Sequence, residues 1–171
     1  MKRVLAAGAV ATTTLVLAGT ATAVGLFGTP GNDVIVGTPA ADQLFGRGGA
    51  DVLDAGAGND LARGGHGDDL LWAGEGDDTI LGGRGNDRLA ANPGDDVAVG
   101  GPGADRIGGG MGRDALYGGA GDDVLFSRAN DGVSDSVDCG PGWDTAYVRP
   151  DDVTVGCETV TVVATGDDEA V

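Results

Sequence analysis

Aspartate occupies every ninth position of the chain between residues 28 and 126. Aligned in nines from Gly28, the sequence gives eleven rows without an insertion, and the sixth position of each row is aspartate. These residues are Asp33, Asp42, Asp51, Asp60, Asp69, Asp78, Asp87, Asp96, Asp105, Asp114 and Asp123. Evenly stacked carboxylates repel one another, and calcium prefers carboxylate and carbonyl oxygens as ligands. The spacing therefore predicts columns of metal ligands with Ca²⁺ as the bound ion.

The other positions of the repeat predict the elements that hold these carboxylates. Position four is glycine in every row except one, where it is Ala40, and position eight is always Ile, Leu or Ala. The glycine-rich positions one to six indicate a turn, because glycine allows positive φ and close backbone approach. Positions seven to nine indicate a short strand whose middle side chain points inward. Such a strand buries little alone, so the repeats must stack.

This pattern resembles the RTX, or haemolysin-type, calcium-binding repeat G-G-x-G-x-D-x-U-x, in which U is a large apolar residue. The resemblance covers residues 28–126. It implies an all-β fold, a right-handed parallel β-roll (a β-helix solenoid) that holds calcium in its turns. Some rows depart from the two leading glycines, and we expect those turns to bind calcium more weakly. The departures include Thr29, Thr38 and Arg47 at position two and Ala55, Ala73 and Ala91 at position one.

If two repeats form one coil, alternate rows lie in opposite sheets. The inward side chains of the odd rows are then Ile35, Leu53, Leu71, Leu89, Ile107 and Leu125. Those of the even rows are Leu44, Ala62, Ile80, Ala98 and Leu116. Leu26 lies one coil before Leu44, so residues 25–27 should also belong to the roll. If each ion is shared between turns i and i+2, the eleven turns bound the internal sites at about nine.

Composition supports a fold that depends on cations. The 171 residues carry a formal charge of −17, with 35 glycines and 4% aromatic residues. High charge with few large apolar residues is otherwise typical of disorder. Nucleic acid is excluded as a partner, because its phosphates would be repelled. Lys2 is the only lysine, and the abundance of Arg, Gly, Ala and Asp indicates a high-GC bacterial source.

The first 23 residues resemble a secretory signal peptide. "MKR" is a basic segment, residues 4–19 are apolar, and "ATA" at 21–23 fits an A-x-A cleavage site. A membrane anchor is the alternative, but the segment is short for a span and rich in Ala and Thr. We expect its removal to leave a secreted, extracellular protein without a membrane span, in which 24–126 form the roll. The remaining chain would then carry eight basic and 27 acidic residues.

The repeat register fails after Phe126, and the remainder, 127–171, predicts a loop, a C-terminal cap and an acidic tail. Residues 127–138 favour a loop, and the register resumes at 139–147 with Asp144 at position six. Residues 153–163 alternate like a strand that would cover the last rung near Leu125. An even pair of cysteines in an exported chain favours a disulfide, here Cys139–Cys157. The tail is 164–171.

The sequence favours no enzyme and no catalytic residue. His66 is the only histidine and occupies a variable turn position, and Ser127, Ser134 and Ser136 have no histidine nearby in sequence. Adjacent acids such as Asp68–Asp69 could indicate glycosidase chemistry, but the repeat already explains the second acid of each pair. RTX relatives that are enzymes carry a separate catalytic domain, for which this chain has no room.

An adhesion or surface-interaction module stabilised by calcium is the alternative function. Position nine of the even rows faces outward and is largely apolar, which indicates either a face for an unknown surface or protein partner or ordinary apolar surface. These residues are Phe45, Arg63, Leu81, Val99 and Tyr117. Ice binding through threonine ladders ranks low, since only Thr29 and Thr38 repeat.

Overall fold

The computed structural model describes residues 2–5, 13–16, 22–127 and 131–163, and every helix or strand element assigned in these ranges is a β-strand. In these ranges no helix is long and apolar enough to cross a membrane. Of the predicted signal peptide, the structure describes two short strands, Lys2–Leu5 and Thr13–Val16, and residues 22 and 23. The rest of that segment, like the predicted acidic tail 164–171, lies outside the described residues.

Two parallel nine-stranded sheets face each other, and consecutive strands alternate between them. The first sheet contains β1 (Lys2–Leu5), β3 (Val24–Phe27), β5 (Gln43–Gly48), β7 (Leu61–His66), β9 (Thr79–Arg84), β11 (Val97–Pro102), β13 (Ala115–Ala120), β15 (Ser136–Asp138) and β17 (Val153–Val155). The second contains β2 (Thr13–Val16), β4 (Asp33–Val36), β6 (Val52–Ala57), β8 (Leu70–Glu75), β10 (Arg88–Pro93), β12 (Arg106–Met111), β14 (Val124–Ser127), β16 (Thr145–Val148) and β18 (Thr159–Val162). The chain is thus a parallel β-solenoid with two repeats per coil, as predicted.

The core is a ladder of position-eight side chains between the sheets. In the second sheet Leu53 pairs in register with Leu71, and in the first sheet Leu44 pairs with Ala62. Every predicted inward residue, Leu26 included, is at most 3% exposed. Burying one such leucine or isoleucine stabilises the fold by about 1.5–3 kcal/mol, so the ladder is a thin core. Leu26 pairs with Leu44, which confirms that residues 25–27 belong to the roll.

Position-four glycines allow the coils to stack closely. Gly58 has a φ of 113°, and a Cβ atom there would lie 2.7 Å from backbone atoms of Ala40 and Ala41 in the preceding coil. Any larger residue would therefore both strain the turn and push the coils apart. The turns also accept two non-glycine residues at positive φ, Arg47 and Asn92, both at position two.

The predicted loop over 127–138 is partly wrong. Residues 136–138 form β15, which pairs with β13 on one side and β17 on the other. Residues 128–130 lie outside the described ranges. Three additional residues lengthen this coil, so that Ser136 pairs with Ala115 across 21 positions instead of 18. The solenoid therefore continues through the segment where the nonapeptide spacing fails.

The predicted single strand over 153–163 is also wrong. The segment forms β17 and β18, which belong to opposite sheets and are separated by a turn in which Gly156 has a φ of 70°. Leu125 is covered by Ala146 of β16, which follows the predicted turn at Asp144. The last two strands are the outermost rung, and their valines remain 42–59% exposed.

The predicted disulfide is present and ties this outermost rung to the coil before it. Cys139 and Cys157 are bonded, with their Cα atoms 5.1 Å apart. Cys139 is fully buried, and its backbone N–H donates to the carbonyl of Val155 at 3.0 Å. The bridge therefore joins two consecutive turns on one edge of the roll.

Replacing both cysteines (Cys139→Ser/Cys157→Ser) should loosen the carboxyl end first. A bridge over a loop of this size contributes about 3 kcal/mol, and a solenoid that loses an end contact frays inward from that end. In saturating calcium, hydrogen exchange should show loss of protection in β17 and β18 before β6. Uniform loss along the roll, or unchanged protection at 153–162, would contradict this role for the bridge.

Candidate metal centre

The aspartates of position six line both edges of the roll. Edge one carries the turns with Asp33, Asp51, Asp69, Asp87, Asp105, Asp123 and Asp144, and edge two those with Asp42, Asp60, Asp78, Asp96, Asp114 and Asp135. Each side chain is only 1–5% exposed. The glycine-rich turn folds around its own aspartate, so the carboxylate points into the stack of turns and away from solvent.

One oxygen of each carboxylate joins successive coils. Asp33 N–H donates to Asp51 Oδ1 at 2.8 Å, and Asp51 N–H donates to Asp69 Oδ1 at 2.8 Å. The same bond recurs along both edges at 2.6–3.0 Å. From Asp42 and Asp51 onward, each Oδ1 therefore accepts a hydrogen bond from the coil before it, which fixes the carboxylate in one orientation.

The second oxygen of most of these carboxylates has no partner. Oδ2 is buried without a hydrogen bond in Asp51, Asp60, Asp69, Asp78, Asp87, Asp96, Asp105, Asp114, Asp123 and Asp144. A buried, unpaired carboxylate oxygen is costly, and natural structures place it against a cation or a donor. This regular series of unsatisfied oxygens fits a row of bound cations.

Backbone oxygen lies beside the unpaired carboxylate oxygens. On edge one, a Cβ atom added at Gly46, Gly64, Gly82 or Gly100 would collide with Oδ2 of that turn's own aspartate. The same Cβ would lie 2.6–2.8 Å from the carbonyl oxygen at position one of the next coil. Glycine is therefore required at these positions because a carboxylate and a carbonyl oxygen converge there. A carboxylate with backbone carbonyls is the donor set that calcium takes.

Edge two differs from edge one at position one. It carries three alanines, which are fully buried: Ala55, Ala73 and Ala91. Oδ2 of the aspartate in each of these turns is still unpaired. Across the described residues, no three His, Cys, Asp or Glu side chains gather at one point. Cation binding on either edge must therefore combine aspartate with backbone carbonyls.

The first two turns satisfy their aspartates internally. Thr38 Oγ1 donates to Asp42 Oδ2 at 2.8 Å, and Thr29 Oγ1 donates to Asp33 Oδ2 at 3.0 Å. The backbone N–H of each threonine donates to the same oxygen. A threonine at position two thus supplies the hydrogen-bond donor to Oδ2 that the later turns lack. This gives a physical reason for the weaker calcium binding expected at these turns.

Burial raises the pKa of the unpaired aspartates. Desolvation is the largest cause, and charge repulsion from aspartates of neighbouring coils adds to it, while the hydrogen bond from the preceding coil opposes both. The pKa rises to about 7 in Asp51, Asp60, Asp96 and Asp105, and to about 6 in Asp69, Asp114 and Asp123. These buried carboxyl groups therefore bind protons more readily than ordinary aspartates do, unless a bound cation takes the place of the proton.

Three acidic residues that the sequence analysis missed extend the columns. Asp135 Oδ1 accepts from Asp114 N–H at 2.8 Å, and Asp152 Oδ1 accepts from Asp135 N–H at 2.9 Å. On edge one, Glu158 Oε2 accepts from Asp144 N–H at 2.8 Å. The changed spacing concealed them. The triplet Asp-x-apolar at 135–137 was the signal that could have found the first.

Position five, which is an unspecified x in the repeat G-G-x-G-x-D-x-U-x, forms a second ladder on the exposed rim. Asp68 Oδ1 accepts from Asn86 N–H at 2.8 Å, and Asn86 Oδ1 accepts from Ala104 N–H at 2.8 Å. Here the acceptor lies in the earlier coil, opposite to the direction of the buried ladder. The pair Asp68–Asp69 therefore joins two ladders, which accounts for adjacent acids without glycosidase chemistry.

The side chains weighed for catalysis do not assemble. His66 is exposed at the end of β7 in the first sheet, whereas Ser127 lies in β14 of the second sheet. The Ser127 hydroxyl donates to Asp152 at 2.7 Å, and Ser134 donates to the carbonyl of Asp151. Both serine side chains therefore form hydrogen bonds to residues of the C-terminal turns.

Buried carboxylate columns between stacked glycine turns define a metal-binding β-solenoid. The RTX calcium-binding nonapeptide repeat family matches residues 27–62, 55–89 and 90–125, and the chain belongs to this family. Membership implies a calcium-binding β-roll. A comparison with curated proteins found no match.

Removing the carboxylate charge of a central turn should lower the number of bound calcium ions more than removing one at the amino end. Asp78→Asn keeps an acceptor for the Asp60 N–H but removes charge from a turn whose Oδ2 is unpaired. Asp33→Asn changes a turn that Thr29 already serves. Calorimetry should show a larger loss of calcium stoichiometry in Asp78→Asn. Equal losses would argue against ions shared between central coils.

Calcium binding should release protons below neutral pH. Because the folded-state pKa values of about 6 to 7 exceed the ordinary aspartate value of 3.8, the metal-free fold binds more protons than the unfolded chain between these limits. Its stability should therefore fall as pH rises through that window, while apparent calcium affinity rises. Calcium titrations from about pH 5 to 8 in buffers of different ionisation enthalpy measure both. Affinity independent of pH would contradict the assignment.

Proposed function

We propose that this protein is a secreted calcium-binding protein whose roll folds when calcium occupies its turns. The series of buried, unpaired Oδ2 atoms from Asp51 to Asp123 carries the proposal. Bound calcium supplies the positive charge that offsets the repulsion between carboxylates stacked one strand spacing apart.

Two kinds of group in the chain would hold that cation, aspartate carboxylates and backbone carbonyls. The position-six aspartates of the third to eleventh turns contribute Oδ2, while their Oδ1 atoms keep adjacent coils in register. On edge one, the position-one carbonyls of the following coil lie beside Oδ2. Asp33 and Asp42 belong to the same columns, and we assign them the weakest sites because Thr29 and Thr38 already donate to them.

Secretion is supported by two features at opposite ends of the chain. Residues 1–23 have the charge and hydropathy pattern of a signal peptide, and disulfides such as Cys139–Cys157 persist in oxidising compartments. Cleavage after Ala23 would remove β1 and β2. The roll would then begin at β3, and the threonine-containing turns would be its first two.

We assign no catalytic activity to the chain. The repeat explains the aspartates, and the neighbouring serines bond within the C-terminal turns. The activity supported by the geometry is multi-site calcium binding coupled to folding, because binding to the folded state alone stabilises that state.

The protein should be largely unfolded in excess chelator at neutral pH and should gain β structure in millimolar calcium. The physical reason is that, without calcium, only the thin apolar ladder stabilises the fold against the repulsion within a chain of formal charge −17. Circular dichroism during a calcium titration measures the change, with magnesium as the control ion. A cooperative thermal transition of similar midpoint in excess chelator would contradict calcium-dependent folding.

A further inference from the structure

The outer face of the first sheet carries no acidic residue in its central strands. β5, β7, β9, β11 and β13 have the sequences QLFGRG, LARGGH, TILGGR, VAVGGP and ALYGGA. The whole chain holds 27 acidic residues against ten basic ones. An acid-free face that includes three arginines and the only histidine is therefore a local reversal of the protein's charge.

The three arginines and the histidine line one trench. A groove of about 780 Å³ crosses β5, β7, β9 and β11 and is lined by Arg47, Arg63, His66 and Arg84. None of the four forms a salt bridge within the part of the chain that the structure describes; Arg47 lies 5.6 Å over the ring of Phe27. The trench thus presents exposed positive charge that no internal carboxylate neutralises.

The floor and walls of the trench suit an elongated ligand that runs along the roll axis. Glycines of positions one and two form the floor, while one wall continues from Arg63 to Leu81 and Val99 on successive strands. Strands spaced about 4.8 Å apart make the trench about 14 Å long across four strands. Apolar and cationic side chains therefore both line a groove that is open to solvent.

We propose that this trench binds a linear acidic polysaccharide. Arginine guanidinium groups recognise carboxylate and sulfate groups, and the glycine floor with Leu81 and Val99 offers flat apolar surface to the C–H faces of sugar rings. A polypeptide is a poorer occupant, because the strands under the trench pair with each other and leave no ladder for its backbone groups. A flat anionic membrane would meet the acidic rims as well as the trench.

Binding requires only that the roll be folded, so the proposal rests on the proposed function through folding in calcium. The test measures binding of fluorescently labelled hyaluronan and heparin oligosaccharides to the full chain in saturating calcium at low ionic strength. Hyaluronan carries carboxylates alone, whereas heparin also carries sulfates. Circular dichroism of the same samples reports folding, so that loss of the fold is distinguished from loss of binding.

Two double variants separate the trench from bulk charge. Arg63→Ser/Arg84→Ser removes two trench cations. Arg88→Ser/Arg113→Ser removes two exposed cations outside it. We expect the parent to bind at least one oligosaccharide, with affinity that falls as salt rises. The trench variant should weaken binding roughly tenfold or more, and the control should stay within about twofold.

Three results would overturn the proposal. The first is that neither oligosaccharide binds the folded chain. The second is that both double variants lose affinity equally, and the third is that poly-glutamate or anionic phospholipid vesicles bind the trench more tightly than either sugar. The last outcome would show that the trench recognises another class of anion carrier.

Discussion

The stacking of one aspartate per turn, each directly over the next, is the constraint on which the rest of this structure depends. A parallel solenoid places equivalent residues of successive coils one strand spacing apart, so any charge in the repeat becomes a column of like charges. The protein buries that column, with side chains only 1–5% exposed. Burial excludes the water that would screen the repulsion and raises the pKa of these carboxyl groups. A cation, a proton or an added hydrogen-bond donor is then needed to make the column compatible with a closed stack.

The two oxygens of each aspartate resolve this constraint in different ways. Oδ1 accepts the N–H of the preceding coil and acts as a structural link, whereas Oδ2 is buried without a hydrogen bond in most turns. The amino-terminal turns show what happens when the second oxygen has another partner, since Thr38 donates to Asp42 Oδ2. The same backbone shape therefore supports turns whose Oδ2 has no hydrogen-bond partner and turns in which a threonine at position two donates to it.

The regular part of this fold was predictable because each position of the repeat has one task. Leu53 and Leu71 could be placed in one buried row from the spacing alone, and Asp78 could be placed between Asp60 and Asp96. The carboxyl end was less predictable, because tertiary pairing there overrides spacing: β15 joins the sheet across three added residues, so Asp135 was missed. Residues 153–163 alternate like one strand, yet Gly156 divides them between two sheets. The position-five ladder was hidden because Asn and Asp serve it equally, which looks like variability in sequence.

A solenoid of this kind separates chemistry by direction. Positions four to six form the edges, which carry the carboxylates, while the strands of positions seven to nine and one to three form the sheets, whose outward side chains vary from coil to coil. In the first sheet, five neighbouring strands contain no acidic residue, although the chain as a whole has a formal charge of −17. Because the carboxylates of the edges point inward, their charge is neutralised locally when cations bind, and the arginines of the face then dominate the field above it. Under the proposed calcium-dependent folding, occupation of the edges would therefore determine whether this face is present at all.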